Sequence, residues 1–354
     1  MRICIAGRFA FPWYEEACAR ALESLGHLVL RHSWSRRMSS LSGCLESRLS
    51  ILGPSSRGTL RDVASLVRRE RPDVILLWRA TQFDAHAVRQ IRAAGDCPVI
   101  SYNNDDPFSP AYRDGTLGLR RLWRNFLGAI PTYDMNFVFR PVNVDEYLSA
   151  GAKRVNVLLP YFMPEVHRPV ALSEKDLQEF GCDAVFVGHY EEDGRVEKLA
   201  ALVRAGMRLR IFGNGWPFEA IHRIDPNLAP PRSALGDQYA KALCGAKLCL
   251  SFLSKLNRDT YTRRSFEIPA CGKLMLSERT RSLETMFSED HEAVFFSSTE
   301  ELVSKAQEWV TDDTRRETVA RAGLDRCWSG GHDVLSRMRG MMMLCEKELG
   351  LNSR

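Results

Sequence analysis

From Asn257 to Glu284 the chain reads N-R-D-T-Y-T-R-R-S-F-E-I-P-A-C-G-K-L-M-L-S-E-R-T-R-S-L-E, its densest run of side chains able to do chemistry. Asp259 and Glu267 stand in a D-x7-E spacing. Glu267 enters a short helix that ends at Cys271-Gly272 and passes directly into a strand over 273–276. A carboxylate at a helix start, beside the carboxyl edge of a sheet, can accept two hydrogen bonds from the 2′,3′-diol of a ribose. Arg263 and Arg264 sit next to it, and guanidinium groups match a diphosphate in shape and charge. Arg264, nearer the helix start, is the favoured ligand-facing residue; Arg263 is expected toward solvent but stays among the binding candidates. Lys255 is a further candidate phosphate partner.

Such residues need elements to place them, and the hydrophobic pattern supplies two successive series. In the first, strands are expected over 2–6, 27–31, 73–78, 98–102, 135–139 and 155–159. Helices are expected over 13–25, closed by Gly26, and on the face Leu60, Val63 and Val67 before Pro72. The segment 33–57, rich in Ser, Gly and Arg, has no readable pattern. The series restarts with strands over 184–187, 209–212, 247–252, 273–276 and 293–296. Helices over 195–204, 300–310 and 314–322 follow, with a Met-rich helix after His332. Continuous apolar strands such as D-V-I-L-L-W belong in parallel sheets covered on both faces. The fold class is therefore α/β, with two Rossmann-like doubly wound domains whose ligands bind at the carboxyl ends of the strands. The domains are placed at 1–165 and 166–330 around the Pro-rich segment 160–170. A C-terminal helix over 331–354 is expected to pack back on the first domain.

Composition narrows the class. With 354 residues, 45% hydrophobic and 26% charged, the chain is neither disordered nor of low complexity. No apolar run approaches the roughly 18–20 residues that span a bilayer. The N-terminus resembles a signal peptide only until Arg8, so the expected compartment is the cytoplasm. Ten scattered cysteines without a C-x-x-C pair read as reduced, mostly buried thiols. Residues 1–150 hold 20 Arg, no Lys and 15 acidic residues, so they carry the whole net charge of +5. That density is too low, and too poor in aromatic platforms, for nucleic acid. Neither first strand is followed by G-x-G-x-x-G, which counts against a nicotinamide dehydrogenase. No Walker-type loop and no G-x-S-x-G elbow is present.

The stretch R-S-F-E-I-P-A-C-G-K-L-M-L-S-E-R-T resembles the signature of the CgeB-like (spore maturation protein-like) glycosyltransferases. E-A-V-F-F-S-S-T-E-E-L-V and R-R-E-T-V-A-R-A-G resemble its continuation, while N-D-D-P and G-A-K-R-V-N-V-L-L-P are similar to that family's first domain. The resemblance implies GT-B architecture, two Rossmann-like domains facing a cleft, with the second holding a nucleotide-sugar donor (a UDP-, GDP- or dTDP-sugar). It implies that Glu267 takes the donor ribose and that Asp259 replaces the first Glu of an E-x7-E motif near the transferred sugar. Gly188 corresponds to the glycine whose neighbouring amides approach the phosphates. Gly213 and Gly215 correspond to the loop bordering the base pocket. His189, beside Gly188, reads as a donor-side loop residue rather than a base. No metal or other cofactor is implied, since basic side chains and helix dipoles hold the leaving diphosphate. Accordingly Glu191-Glu192-Asp193 reads as an acidic cap for the next helix.

The implied reaction is attack of an acceptor hydroxyl, on a surface polysaccharide, glycolipid or glycoprotein, with departure of a nucleoside diphosphate. Preorganised cations stabilise the leaving group best, a role that falls to Arg264. An inverting reaction needs a base from the first domain, for which Asp105 and Asp106 are the candidates; their setting, N-N-D-D-P, is also strong turn chemistry. A retaining reaction needs none and moves the interest to Asp259. Arg120, Arg121 and Arg124 alternate with Leu117, Leu122, Trp123 and Phe126, which reads either as a surface helix with its apolar side in the core or as a peripheral contact with anionic lipid at the inner face of a membrane. The alternative to an enzyme is a catalytically silent GT-B module that binds nucleotide or scaffolds a partner.

Overall fold

The computed structural model describes residues 1–351 and divides into two compact units. One comprises Met1–Leu159 together with the chain from Val334; the other is Pro160–Asp333.

The first unit is built on β1 (Arg2–Gly7), β2 (Leu28–Ser33), β3 (Val74–Trp78), β4 (Val99–Asn103), β5 (Met135–Val138) and β6 (Val155–Val157). All neighbours are parallel, in the order β2-β1-β3-β4-β5-β6. β3, β4 and β5 are buried along their whole length because helices cover both faces. The C-terminal helix Val334–Leu349 packs on the helix Glu15–Ser24 within this unit.

The second unit carries β7 (Cys182–Val187), β8 (Leu209–Phe212), β9 (Ala246–Ser251), β10 (Leu274–Glu278) and β11 (Val294–Phe296), again all parallel, in the order β11-β10-β9-β7-β8. β7 lies between β8 and β9, with Ala184 opposite both Leu209 and Leu248. Chain order reverses there, which is where open α/β sheets take ligands at their carboxyl edge. Phe186, Leu248, Leu250, Leu274, Leu276, Val294 and Trp309 form the core beneath that edge. The chain therefore has the expected α/β class, with two Rossmann-like parallel sheets.

Two segments take shapes the pattern did not give. Residues 33–57 contain two short helices, Ser35–Met38 and Leu41–Leu49. The Arg120–Arg124 region is broken at Trp123 into the helices Leu117–Leu122 and Arg124–Ala129. Trp123 and Phe126 are buried against Tyr112, Tyr133 and Tyr147, so its main apolar residues serve the core. All ten cysteines are free thiols; only Cys44 is exposed and Cys244 half-buried. Among the described residues no helix is long and apolar enough to cross a membrane.

Candidate functional site

The helix Arg264–Ala270 leaves the loop after β9 and ends at Gly272, whose φ of +65° turns the chain into β10. The Ser265 hydroxyl oxygen accepts the Thr262 N–H at 3.1 Å and fixes the turn that launches it. Between the sheet and the helix Asp313–Ser329, this helix buries every residue after Arg264.

Glu267 therefore points its carboxylate inward, and its side chain is only 7% exposed. Arg263 Nε donates to Oε1 at 2.9 Å and the Tyr239 hydroxyl donates to Oε2 at 2.6 Å. Burial pushes the carboxyl pKa up, but Arg263, His167, Tyr239 and Arg264 together outweigh it, and the net displacement is downward. Glu267 is thus an anion inside the protein.

His167 completes the cluster. The Met163 N–H donates to Nδ1 at 2.9 Å, so the neutral ring carries its proton on Nε2, which faces Glu267 Oε1 at 3.7 Å. Burial lowers the imidazole to about 4, more than Glu267 raises it, and the ring stays neutral at pH 7. Tyr161 lies beneath Arg263, with the guanidinium carbon 5.0 Å from the ring centroid. The Pro-rich segment 160–170, read as the domain boundary, thus supplies two members of the site. Arg263, expected toward solvent, is the residue that holds Glu267.

Arg264 takes a different path. Its guanidinium lies 5.5 Å from the Phe186 ring on β7, and a Cβ added to Gly188 would come within 3.3 Å of Nη1. Its one hydrogen bond among the described residues is a 3.5 Å contact from Nη2 to the Phe252 carbonyl, which leaves donors for an anion. Arg264 and Gly188, 76 positions apart in sequence, thus meet at the end of β7. Gly188 itself cannot give its amide to a phosphate, because that N–H donates to the Phe212 carbonyl at 2.8 Å. Its fixed role is close packing: a Cβ on Gly213, where φ is +135°, would stand 2.1 Å from the Gly188 oxygen. Gly215, at φ +77°, has open space around it.

Lys255 and Asp259 belong to a second group. With Lys198, Ser254, Arg258, Glu278, Arg279 and Ser297 they line a cavity of about 600 Å³ beyond the carboxyl ends of β9, β10 and β11. Lys198 pairs with Glu278 at 3.1 Å, and Arg279 is held by Glu284 and Glu289. Lys255 has no ion-pair partner among the described residues. Its Nζ and that of Lys198 would lie 3.9 and 3.5 Å from a Cβ on Gly194. The cavity thus gathers four cations and two carboxylates, a setting suited to an anionic, hydroxyl-rich ligand.

The acidic run before the helix Arg195–Arg204 is occupied by Arg195, which is almost wholly buried. Asp193 Oδ1 accepts its Nε at 2.8 Å and its backbone N–H at 3.2 Å. Glu191 accepts from the Ser254 hydroxyl at 2.7 Å and from His189 Nε2 at 2.7 Å, so His189 is an exposed loop residue tied to a carboxylate. Among the described residues no three His, Cys, Asp or Glu side chains are grouped to hold a metal.

In the first unit the two aspartates separate. Asp106 has no exposed surface; its Oδ1 accepts from Asn143 Nδ2 at 2.7 Å and from the Phe108 N–H at 3.0 Å. That is turn chemistry, and it leaves no face for an acceptor hydroxyl. Asp105 is partly exposed at the end of β4 and pairs with Arg79, which stands at φ +47° over the Trp123 ring.

Against this geometry, residues 195–343, less than half of the chain, match the family model described as glycosyl transferase-like. No curated protein matches the sequence. Sucrose-phosphate synthase from Thermosynechococcus elongatus superposes with a TM-score of 0.72 at 13% identity, covering 99% of this chain and 100% of that one. HepE from Anabaena, solved with UDP and glucose, gives 0.68 at 12% identity over 98% and 100%. A glycosyltransferase from Rickettsia africae gives 0.68 at 10% identity over 99% of each chain. The likeness is one of fold: the chain has the GT-B fold of glycosyltransferases.

Proposed function

We propose that this chain is a glycosyltransferase, close to the CgeB-like group, that moves a sugar from a nucleoside-diphosphate sugar to an acceptor hydroxyl. The observation that carries the reading is Glu267, an ionised carboxylate kept in the protein interior on the helix that follows β9. Two acceptor oxygens on a rigid helix suit the vicinal hydroxyls of a ribose, which would share them with Arg263 and Tyr239. Arg264, beside Gly188, and Lys255, on the cavity, supply positive charge where a diphosphate would leave, at sites already organised before the reaction. These cations provide the charge that a metal would otherwise bring. Asp259, on the same cavity, is placed to contact the transferred sugar. In an inverting reaction Asp105 is the base, activated when its pairing with Arg79 loosens.

HepE was solved with UDP and with UDP-glucose, which makes uridine the first base to try, followed by GDP- and dTDP-sugars. The acceptor is read as a hydroxyl of a surface polysaccharide, glycolipid or glycoprotein. A thermal-shift panel of nucleoside diphosphates and their sugars tests the reading, since a ligand at a hundred times its Kd stabilises the native state by about 2.7 kcal/mol. The binding donor should then slowly release its diphosphate without acceptor. Stabilisation by none of them, or binding without any release, would refute an enzyme of this kind.

A further inference from the structure

The helix Leu41–Leu49 is turned inside out. It buries Gly43 and Glu46 and exposes Leu41, Leu45 and Leu49, which form one stripe at i, i+4 and i+8. Leu41 is 89% exposed, and Ile51, two residues past the helix, is exposed as well.

The orientation is fixed from within. Glu46 Oε1 accepts the Ser55 N–H at 2.9 Å and the Ser42 hydroxyl at 2.7 Å, while Oε2 accepts both the N–H and the hydroxyl of Ser56 at 2.7 Å. Those amides open the helix Pro54–Glu70, which the carboxylate caps. A Cβ on Gly43 would strike the Arg37 carbonyl at 2.5 Å, so this face must stay inward. Rotating the helix to hide the leucines would strip Glu46 of its three hydrogen bonds from Ser55 and Ser56.

The stripe does not stand alone. The helix packs on Leu117–Leu122, and the Ser50 hydroxyl donates to the Arg121 carbonyl. Leu117, 59% exposed, adds to the apolar surface. Residues 36–61 carry five arginines and one acid, the buried Glu46; residues 115–131 carry three arginines and no acid. Arg48, Arg120 and Arg124 are exposed. The nearest acids in sequence, Asp62 and Asp114, are paired with Arg37 and Arg113.

We propose that this face docks on an anionic lipid surface, with Leu41, Leu45, Leu49, Ile51 and Leu117 entering the interface and the surrounding arginines meeting the headgroups. Charge decides the occupant. A second copy apposed face to face would set Arg48, Arg120 and Arg124 against the same arginines, because the flanking acids Asp62 and Asp114 are already paired, whereas an anionic leaflet answers all three. The leucines answer the other half, since an interfacial helix buries its apolar side to the acyl boundary. The surface belongs to the first unit and is independent of the donor reading above.

The test is co-sedimentation of the full chain with vesicles of phosphatidylcholine alone or with one-third phosphatidylglycerol. The wild type should pellet only with the anionic vesicles, and less as salt rises. The variant L41S/L45S/L49S should bind at least about a hundredfold more weakly, since a buried leucine is worth tenfold or more. Arg48→Gln, Arg120→Gln and Arg124→Gln should each weaken binding about fivefold. All replaced side chains are exposed, so unchanged thermal unfolding certifies the fold of each variant. Failure of the wild type to bind, equal binding to neutral vesicles, or undiminished binding by the leucine variant would overturn the proposal. So would a dimer in solution that the leucine variant converts to monomer.

Discussion

Replacing His167 with Gln should change how the protein responds to acid, by an amount the structure sets. In the folded chain the ring is buried and its pKa is lowered to about 4, chiefly by desolvation. Unfolded, it titrates near 6.5, so between these values the unfolded chain binds a proton that the native chain refuses. Stability contributed by the neutral ring is complete above pH ~6.5 and falls by about 1.4 kcal/mol per pH unit below it. From pH 6.5 to 4.5 the loss comes to roughly 2–3 kcal/mol. Glu267, whose pKa is also lowered in the fold, adds its own loss only as pH falls below the ordinary carboxylate range, so the two windows barely overlap. Gln keeps an acceptor for the Met163 N–H but cannot be protonated. Urea unfolding of wild type and His167→Gln at half-unit steps from pH 7.5 to 4.5 gives a difference curve in which the groups that His167 does not touch cancel. That curve should change by about 2–3 kcal/mol across the window. A flat difference would mean that the imidazole is solvated or charged and that Glu267 does not face a neutral, buried ring.

Other expectations follow from the same geometry. Gly213→Ala should destabilise the chain by about 2–4 kcal/mol, because the new methyl meets the Gly188 oxygen at an unfavourable φ; Gly215→Ala, with open space around it, should lose only about 1–2 kcal/mol, and equal melting temperatures would contradict this ordering. Asp106→Ala should lower stability by about 2–3 kcal/mol through its lost hydrogen bonds, whereas Asp105→Asn, which keeps an acceptor oxygen for Arg79 but loses the charge, should cost only about 1 kcal/mol and cut turnover about a hundredfold or more. An Asp106→Ala protein that melts normally but is inactive would reverse those roles. Lys255→Met should reduce turnover about thirtyfold or more while changing donor affinity little; equal losses in both would remove it from the leaving group.

The sheets were readable because their strands are short apolar runs bounded by Gly, Pro and charge. The strand over 209–212 and the helix over 195–204 coincide with the observed elements. The segment 33–57 resisted because periodicity assumes that leucines face inward, and in Leu41–Leu49 they face out. Glu267 stood out through its motif, but its holders did not. Tyr239 lies 28 positions away and His167 lies 100 positions away, in a Pro-rich stretch that looks like a connector. Arg263 and Arg264 are adjacent in sequence, and only the helix start decides which turns inward. Asp105 and Asp106 likewise share one turn motif, yet one is partly exposed and the other buried beneath Asn143.

The structure of the chain bound to UDP, or to whichever diphosphate stabilises it, shows directly what Glu267 does when a nucleotide arrives. The ribose hydroxyls should lie within hydrogen-bonding distance of the Glu267 carboxylate, with the diphosphate reaching Arg264 and the cavity that Lys255 lines. A nucleotide bound elsewhere, with Glu267 still closed on Arg263 and Tyr239, would contradict that placement.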